Sequence, residues 1–310
     1  MPEYEVRLKG LGTRNGGMPG PIMRHLLDTI DDGSRGAVRL RLEGRSTARG
    51  AAPSWLEAAT AFDVLGFVEA TPGLRLRAPT LRQALPDRFE QTDLFPKVDP
   101  DQSAIALLLE SLGDAVAGQA DSEAYDDSLL QIFERFSFLF ERGVEEVELT
   151  NERRESAVRV RPGSVETIDR LRRTMPQPRR ARVVGRIDAI SYSDRGFILV
   201  LDDRTRVRGV LTEGSPETLV AFFGRRALVS GLVRYRPSGA VLRIEAEHLA
   251  PATEEDAAAW SKLPGALEAA EDVRSLWRPQ GPRSGLAKIF GRWPGEETDE
   301  EIERFLAELS

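Results

Sequence analysis

Apolar residues in the first half of the chain switch repeatedly between strand spacing and helix spacing. Apolar residues at every second position predict strands, whereas apolar residues three and four apart predict helices. The predicted strands cover residues 4–8, 37–42, 64–69, 74–77, 144–149 and 157–161. The predicted helices cover residues 22–30, 103–116, 129–140 and 165–173, with a helical hairpin at about residues 103–142. This pattern indicates an N-terminal α+β domain over residues 1–178 with small antiparallel sheets.

The next stretch, residues 179–250, has a different pattern of short strands separated by turn residues. The run Met175-Pro176-Gln177-Pro178 leads into it and is typical of a stiff linker. Five strands are predicted, at residues 181–190, 196–201, 205–211, 227–235 and 240–247. A helix at residues 216–223 separates the third strand from the fourth, and Asp, Ser, Pro and Gly occupy the turns. Three strands, a helix and two strands is the order of a five-stranded Greek-key barrel.

Several short runs in this stretch resemble the OB-folds of the tRNA-anticodon-binding type. The runs are Val183-Val184-Gly185-Arg186-Ile187, Phe197-Ile198-Leu199-Val200-Leu201-Asp202-Asp203, Gly209-Val210-Leu211, the run from Gly224 to Val233, and Leu242-Arg243-Ile244-Glu245-Ala246. The resemblance covers about seventy of the 310 residues. It implies an OB-like barrel, a fold that binds DNA, RNA, sugars or proteins.

Charge is distributed unevenly between the barrel and the rest of the chain. The whole chain carries a formal net charge of −7. Residues 179–250 contain 13 arginines, no lysine and 8 acidic residues, so this stretch carries +5 and the remainder carries −12. A basic module within an acidic chain is a modest electrostatic sign of nucleic-acid binding.

The predicted nucleic-acid contacts are arginines and tyrosines on the third barrel strand and on two loops. Guanidinium groups contact phosphates, and aromatic rings stack on bases. The candidates are Tyr192, Arg195, Arg206, Arg208, Tyr235 and Arg236. Arg39, Arg41, Arg45 and Arg49 in the N-terminal domain are weaker candidates for phosphate contacts. In both groups the alternative is a solvated charged face without a ligand.

Catalytic chemistry has few candidate residues in this sequence. There is no cysteine, and His25 and His248 are the only histidines. A Ser-His-Asp triad or a His-rich metal site therefore lacks its components, and we predict no enzyme activity, no cofactor and no metal. The sequence also has no apolar run long enough for a membrane span and no leader-like N-terminus, so we expect a cytoplasmic protein.

The C-terminal part is predicted to be an acidic helical linker, residues 251–285, followed by a partner-binding tail, residues 286–310. Two apolar groups occur in the tail, and such groups suit docking of a helix in a groove on a protein partner. They are Leu286, Ile289, Phe290 and Trp293, then Ile302, Phe305, Leu306 and Leu309. The alternative is that the tail packs on its own chain and covers a sheet.

The tail run Gly-Arg-Trp-Pro-Gly-Glu-Glu-Thr-Asp-Glu-Glu-Ile, residues 291–302, resembles the C-terminal tails of bacterial antitoxins paired with PIN-domain toxins. That resemblance implies a tail that occupies the groove of a ribonuclease near its metal-binding carboxylates. The whole chain is similar to uncharacterised bacterial proteins that combine this front half, barrel and tail, which implies no particular activity. We therefore predict a non-catalytic bacterial binding protein that acts on a protein partner through its tail. The most specific form of this hypothesis is antitoxin-like neutralisation of a PIN-type ribonuclease. The alternative is an OB-type RNA or single-stranded DNA binding protein.

Overall fold

The computed structural model describes residues 1–12, 17–48, 50–68, 71–89, 98–151, 157–191 and 195–267. The chain divides into two compact units, Met1–Ala269 and Ala270–Ser310, and every described residue belongs to the first. Within it, helices and antiparallel strands form one layered region and a closed barrel forms another, which confirms the predicted α+β class. No helix among the described residues combines the length and the apolar character that crossing a bilayer requires.

The N-terminal region consists of one five-stranded sheet and a set of helices. The strands are β1 (Glu3–Lys9), β2 (Asp63–Phe67), β3 (Gly73–Arg77), β4 (Glu146–Asn151) and β5 (Ala157–Val160). The helices are α1 (Gly20–Glu43), α2 (Ser54–Thr60), α3 (Leu81–Ala84), α4 (Pro86–Phe89), α5 (Ala104–Val116), α6 (Asp127–Glu134), α7 (Ser137–Phe140) and α8 (Pro162–Thr174).

The sheet has the order β2-β3-β1-β4-β5, and all its neighbouring strands are antiparallel. The central strand β1 alternates as the sequence predicts, with Tyr4, Val6 and Leu8 buried between more exposed residues. Both predicted hairpins are present, β2 with β3 and β4 with β5. The helices cover the buried face of the sheet and close a single hydrophobic core.

The predicted strand at residues 37–42 is wrong, because these residues complete helix α1. The alternation of Val38, Leu40 and Leu42 is a short apolar run inside a longer helical face. Glycines in that face allow close packing: a Cβ at Gly33 would lie 2.7 Å from Leu108 Cδ1. The helix ends at Gly44, which adopts the left-handed conformation with φ 74°.

The predicted helical hairpin is only partly correct. Its first helix, α5, begins after Ser103, whose hydroxyl accepts a hydrogen bond from the amide of Ala106. Its second helix is broken into α6 and α7 at Arg135 and Phe136. The amides of these two residues donate to carbonyls three residues back, so the chain tightens locally instead of continuing as one α-helix.

The barrel contains β6 (Arg179–Ser191), β7 (Gly196–Val200), β8 (Arg206–Leu211), α9 (Pro216–Phe222), β9 (Arg226–Tyr235) and β10 (Val241–Pro251). Helix α10 (Glu254–Trp260) follows it. The strand order is β10-β8-β7-β6-β9, and β9 pairs with β10 to close the barrel. Strands β8 and β10 are parallel, whereas the other pairs are antiparallel. This topology, with its helix between the third and fourth strands, is compatible with an OB-like barrel.

Candidate nucleic-acid interface

A row of arginines crosses the outer surface of four barrel strands. Arg226 on β9 lies opposite Arg186 on β6, Arg186 lies opposite Val200 on β7, and Val200 lies opposite Arg206 on β8. Directly opposite residues in an antiparallel sheet point to the same face. We call Arg186, Arg206, Arg226 and the nearby Arg208 the arginine row; the side chains of all four are at least half exposed.

Each arginine of the row has a carboxylate neighbour. Asp188 accepts hydrogen bonds from both Arg186 and Arg206, each at 3.0 Å. Arg226 donates through Nη2 to both carboxylate oxygens of Asp202, at 2.6 and 2.7 Å. Solvent-exposed ion pairs contribute only about 0–1 kcal/mol, so a phosphate group can replace these carboxylates at small cost.

The predicted contacts Arg206, Arg208 and Arg195 are all exposed. Arg208 lies opposite Ile198 on β7, and its guanidinium is 3.3 Å from the carboxylate of Glu123 in the N-terminal region. Arg195 immediately precedes β7, and its backbone carbonyl accepts a hydrogen bond from the amide of Leu211. Tyr192 lies outside the described residues.

Tyr235 lies inside the barrel. Its side chain is part of the barrel core, with only 2% of the residue exposed, and its hydroxyl donates to the carbonyl of Pro264 at 2.9 Å. Burial raises the pKa of this hydroxyl above its ordinary value. The ring is therefore not available in this conformation for the predicted stacking on a base.

Arg236 is engaged by the N-terminal region. Its Nη1 donates to the backbone carbonyl and to the side chain of Asp121, at 2.9 and 3.2 Å. Its Nη2 donates to the carboxylate of Glu123. The predicted contact is thus placed in an internal ion-pair cluster, and a nucleic acid must displace two carboxylates to reach it.

An acidic segment, residues 121–127, covers this side of the barrel. Its carboxylates contact Arg208 and Arg236. At residue 120, directly before the segment, the carbonyl of Ala120 accepts a hydrogen bond from the amide of Ser238 at 3.0 Å. The hydroxyl of Ser238 also donates to Asp121. The loop between β9 and β10 is therefore shielded by carboxylates, whereas the arginine row beyond Arg208 is exposed.

Sequence reasoning missed two arginines and one aromatic residue near the row. Arg186 and Arg226 join the row only through cross-strand register, which a single sequence does not reveal. Phe223 is 54% exposed and forms a bridge with Ile187, next to the Asp188 that holds two of the arginines. The signal in the sequence is that polar Arg186 and Asp188 alternate with buried Gly185 and Ile187 in β6.

The two histidines lie in different regions of the structure. His25 stacks on Phe138 at 4.0 Å between ring centroids, and its Nε2 donates to the carbonyl of Arg135 at 2.8 Å. His248 lies exposed on β10. In the part of the chain that the structure describes, no group of three or more His, Asp or Glu residues is arranged to hold a metal ion.

The predicted partner-binding residues lie outside the described residues. They are Leu286, Ile289, Phe290, Trp293, Ile302, Phe305, Leu306 and Leu309. The hypothesis of a docking tail stays a prediction.

Comparison of the chain with protein-family models, with curated proteins and with solved structures found no match.

Proposed function

We propose that the barrel binds single-stranded RNA or DNA along the outer faces of β6, β7, β8 and β9. The observation that carries this proposal is the arginine row, four exposed guanidinium groups on one continuous surface. Exposed Phe223 lies beside the row and supplies a ring on which a base can stack.

The chemistry of the arginine side chain suits a phosphate ligand. A guanidinium is planar and presents donors in a fixed fork, so it binds phosphate oxygens in pairs, and it also stacks on bases. Lysine offers a point charge without this geometry.

The carboxylates within the row set the strength and the salt dependence of binding. Asp188, Asp202 and Glu123 compete with phosphates for the same guanidinium groups. We therefore expect moderate affinity that falls steeply with salt. Contacts to three or four phosphates of a single strand correspond to a slope of about −2 to −3 in log K against log salt.

Charge reversal in the row tests the proposal. Fluorescence anisotropy with labelled oligo-dT and oligo-U measures binding by the full chain and by Arg206→Glu/Arg208→Glu. The matched control is Arg170→Glu/Arg173→Glu, which reverses two exposed arginines on α8 outside the barrel. We expect at least a tenfold loss of affinity in the first variant and less than a twofold change in the control. Equal losses, or unchanged binding in both, would remove the barrel from consideration as a nucleic-acid binding module.

A further inference from the structure

Two arginines of the barrel adopt a backbone conformation that is unfavourable for their residue type. Among the residues that the structure describes, the non-glycine residues with positive φ are Arg195, at 54°, and Arg204, at 67°. In this left-handed region the Cβ of an L-residue crowds the following carbonyl oxygen, so glycine and asparagine are the usual occupants. Arg195 immediately precedes β7, and Arg204 lies in the loop between β7 and β8. A strained arginine therefore lies at each end of β7, a strand that the arginine row crosses.

The loop between β7 and β8 is held by main-chain bonds and by Asp203. The amide of Arg204 donates to the carbonyl of Leu201 at 3.0 Å, and the amide of Leu201 donates to the carbonyl of Thr205 at 2.9 Å. Asp203 Oδ1 accepts from the amide of Thr205 at 2.9 Å, and this bond lowers the pKa of the Asp203 carboxyl group. Hairpin loops of this length favour glycine at the left-handed position. None of these bonds uses the side chain of Arg204.

The side chain of Arg204 is exposed beside the arginine row. Within the loop, Asp202 accepts both hydrogen bonds of Arg226, and Arg206 begins β8 directly after Thr205. Every member of the row has a carboxylate neighbour, whereas no carboxylate of the described residues forms an ion pair with Arg204. Its guanidinium group can therefore bind a phosphate without displacing a carboxylate.

Backbone strain at an exposed turn is a sign that the side chain at that position has a function, because the strain costs stability that a favoured residue would not lose. The side chain of Arg204 contributes neither to the bonds of the turn nor to the barrel core. We propose that Arg204 binds a phosphate of the nucleic-acid backbone and extends the arginine row to the tip of the β7–β8 hairpin. This contact rests on the proposed function and adds a residue to its binding surface.

Replacement of Arg204 by glycine tests the contact, because it removes the strain and the guanidinium group together. For Arg204→Gly we expect the Tm of the full chain to rise by about 1–3 °C. The slope of log K against log salt for labelled oligo-dT should become shallower by about 0.7, which corresponds to one phosphate contact on a single strand and to about a fivefold loss of affinity in 0.1 M salt. Arg204→Asn should give the same two changes, since asparagine also tolerates the left-handed region.

Two further variants serve as controls. Arg204→Lys keeps both the positive charge and the strained backbone, so it should keep the Tm and the salt slope of the wild type. Arg173→Gln removes an exposed positive charge on α8, outside the barrel. It should change the affinity for oligo-dT by less than twofold and leave the salt slope unchanged.

The same titrations include Arg206→Glu/Arg208→Glu, so that failure of the Arg204 contact and failure of the proposed function give different results. If Arg204→Gly keeps the affinity and the salt slope of the wild type while the double variant loses binding, the row binds nucleic acid and Arg204 is not a contact. A lower Tm for Arg204→Gly would show that the side chain stabilises the turn and would also overturn the proposal. Absence of binding by the wild type would reject the proposed function, and the Arg204 contact with it.

Discussion

At the scale of single residues, Asp126 joins three parts of the molecule. Its carboxylate accepts from the amide and hydroxyl of Ser46 at 3.1 and 2.5 Å, and from the amide of Leu129 at 3.2 Å. Arg243 from the barrel lies 3.3 Å from it. One side chain thus caps α6, holds the loop after α1 and balances a buried cation of the barrel.

Replacing Asp126 by alanine should destabilise the protein by about 2–4 kcal/mol, since a helix cap is lost and a buried arginine loses one of its two carboxylates. Urea unfolding measures this change. Asp127→Ala is the control, because it removes an exposed carboxylate at the next position and should cost less than about 1 kcal/mol. A similar loss in both variants would contradict the role assigned to Asp126.

Residue-level prediction from the sequence succeeds where period-two patterning decides and fails where partners are distant. The pattern in β9 buries Ala227, Val229, Gly231 and Val233, and Tyr235 has the same parity. The predicted strand at residues 227–235 includes Tyr235, so this parity predicts that its side chain is buried; the expectation of a nucleic-acid contact from the following loop overlooked it. By contrast, nothing local indicates that Arg236 meets Asp121, because 115 positions separate them.

At the scale of elements, a ladder of ion pairs links the neighbouring strands β1, β4 and β5 of the N-terminal sheet. Lys9 donates to Glu146 at 2.6 Å, and Arg161 donates to the same carboxylate at 2.6 Å. Arg159 donates to Glu148 at 2.8 Å. The bond from Lys9 lowers the pKa of Glu146, and the bond from Arg159 lowers the pKa of Glu148, below the ordinary value of 4.5.

These lowered pKa values predict a loss of stability in acid. Each glutamate contributes stability that is fully present above its unfolded pKa and is lost as the pH falls through its folded pKa. The free energy of unfolding should therefore decline below about pH 4.5. Urea unfolding between pH 2.5 and 7 should show a shallower decline for Glu146→Gln than for the wild type.

Glu145→Gln removes an exposed neighbouring carboxylate and should leave the acid dependence unchanged. The assignment to the ladder is wrong if this variant flattens the decline as much as Glu146→Gln. At the alkaline end, the pKa of Lys9 is raised, chiefly by its bond to Glu146, so its contribution is present below 10.5 and is lost only at higher pH.

Elements with strong local signals are predictable, and those that depend on packing are not. Both hairpins follow from alternation interrupted by turn residues. The assignment of residues 37–42 to a strand failed because a short apolar run has two interpretations, and only the preceding face of α1, with small Gly33 and Gly36 against neighbouring helices, decides between them. The break between α6 and α7 has no such local signal, and Phe133 and Phe136 on either side of it are both buried.

At the scale of the whole molecule, carboxylates of the acidic segment form ion pairs with arginines of the barrel, one of which belongs to the arginine row. Glu123 contacts Arg208 and Arg236, and Asp121 contacts Arg236. If the barrel binds nucleic acid as proposed, this segment competes with phosphates for one side of the surface. The closed barrel and its helix were predictable from strand order, but this docking was not, because it depends on tertiary contacts alone.

Neutralising the segment should strengthen nucleic-acid binding. We expect Asp121→Asn/Glu123→Gln to raise the affinity for oligo-dT by about 5- to 30-fold, because two competing carboxylates are removed, each being worth about 0.5–1 kcal/mol. Glu254→Gln/Glu255→Gln on α10 makes the same change in net charge away from the contact and serves as the control. Equal gains in both variants would attribute the effect to net charge and not to competition.

The predicted tail is tested by co-purification from the native host. The full chain and a chain lacking residues 286–310 are compared, with nuclease treatment of half of each sample. A stoichiometric protein that survives nuclease and requires the tail supports the prediction of a docking tail. Identical protein recovery by both chains would reject it, and nucleic acid lost at high salt would favour the barrel as the binding part.

The short linker between α8 and β6 sets the effective concentration of the acidic segment near the barrel. Only residues 175–178 separate Thr174 from Arg179, so even a fully extended linker lets these two points part by about 18 Å at most. Tethering at that length corresponds to an effective concentration of the acidic segment in the millimolar range. If the barrel binds nucleic acid as proposed, a strand competes with this tethered segment. The apparent affinity then equals the intrinsic affinity multiplied by the fraction of molecules in which the segment is released.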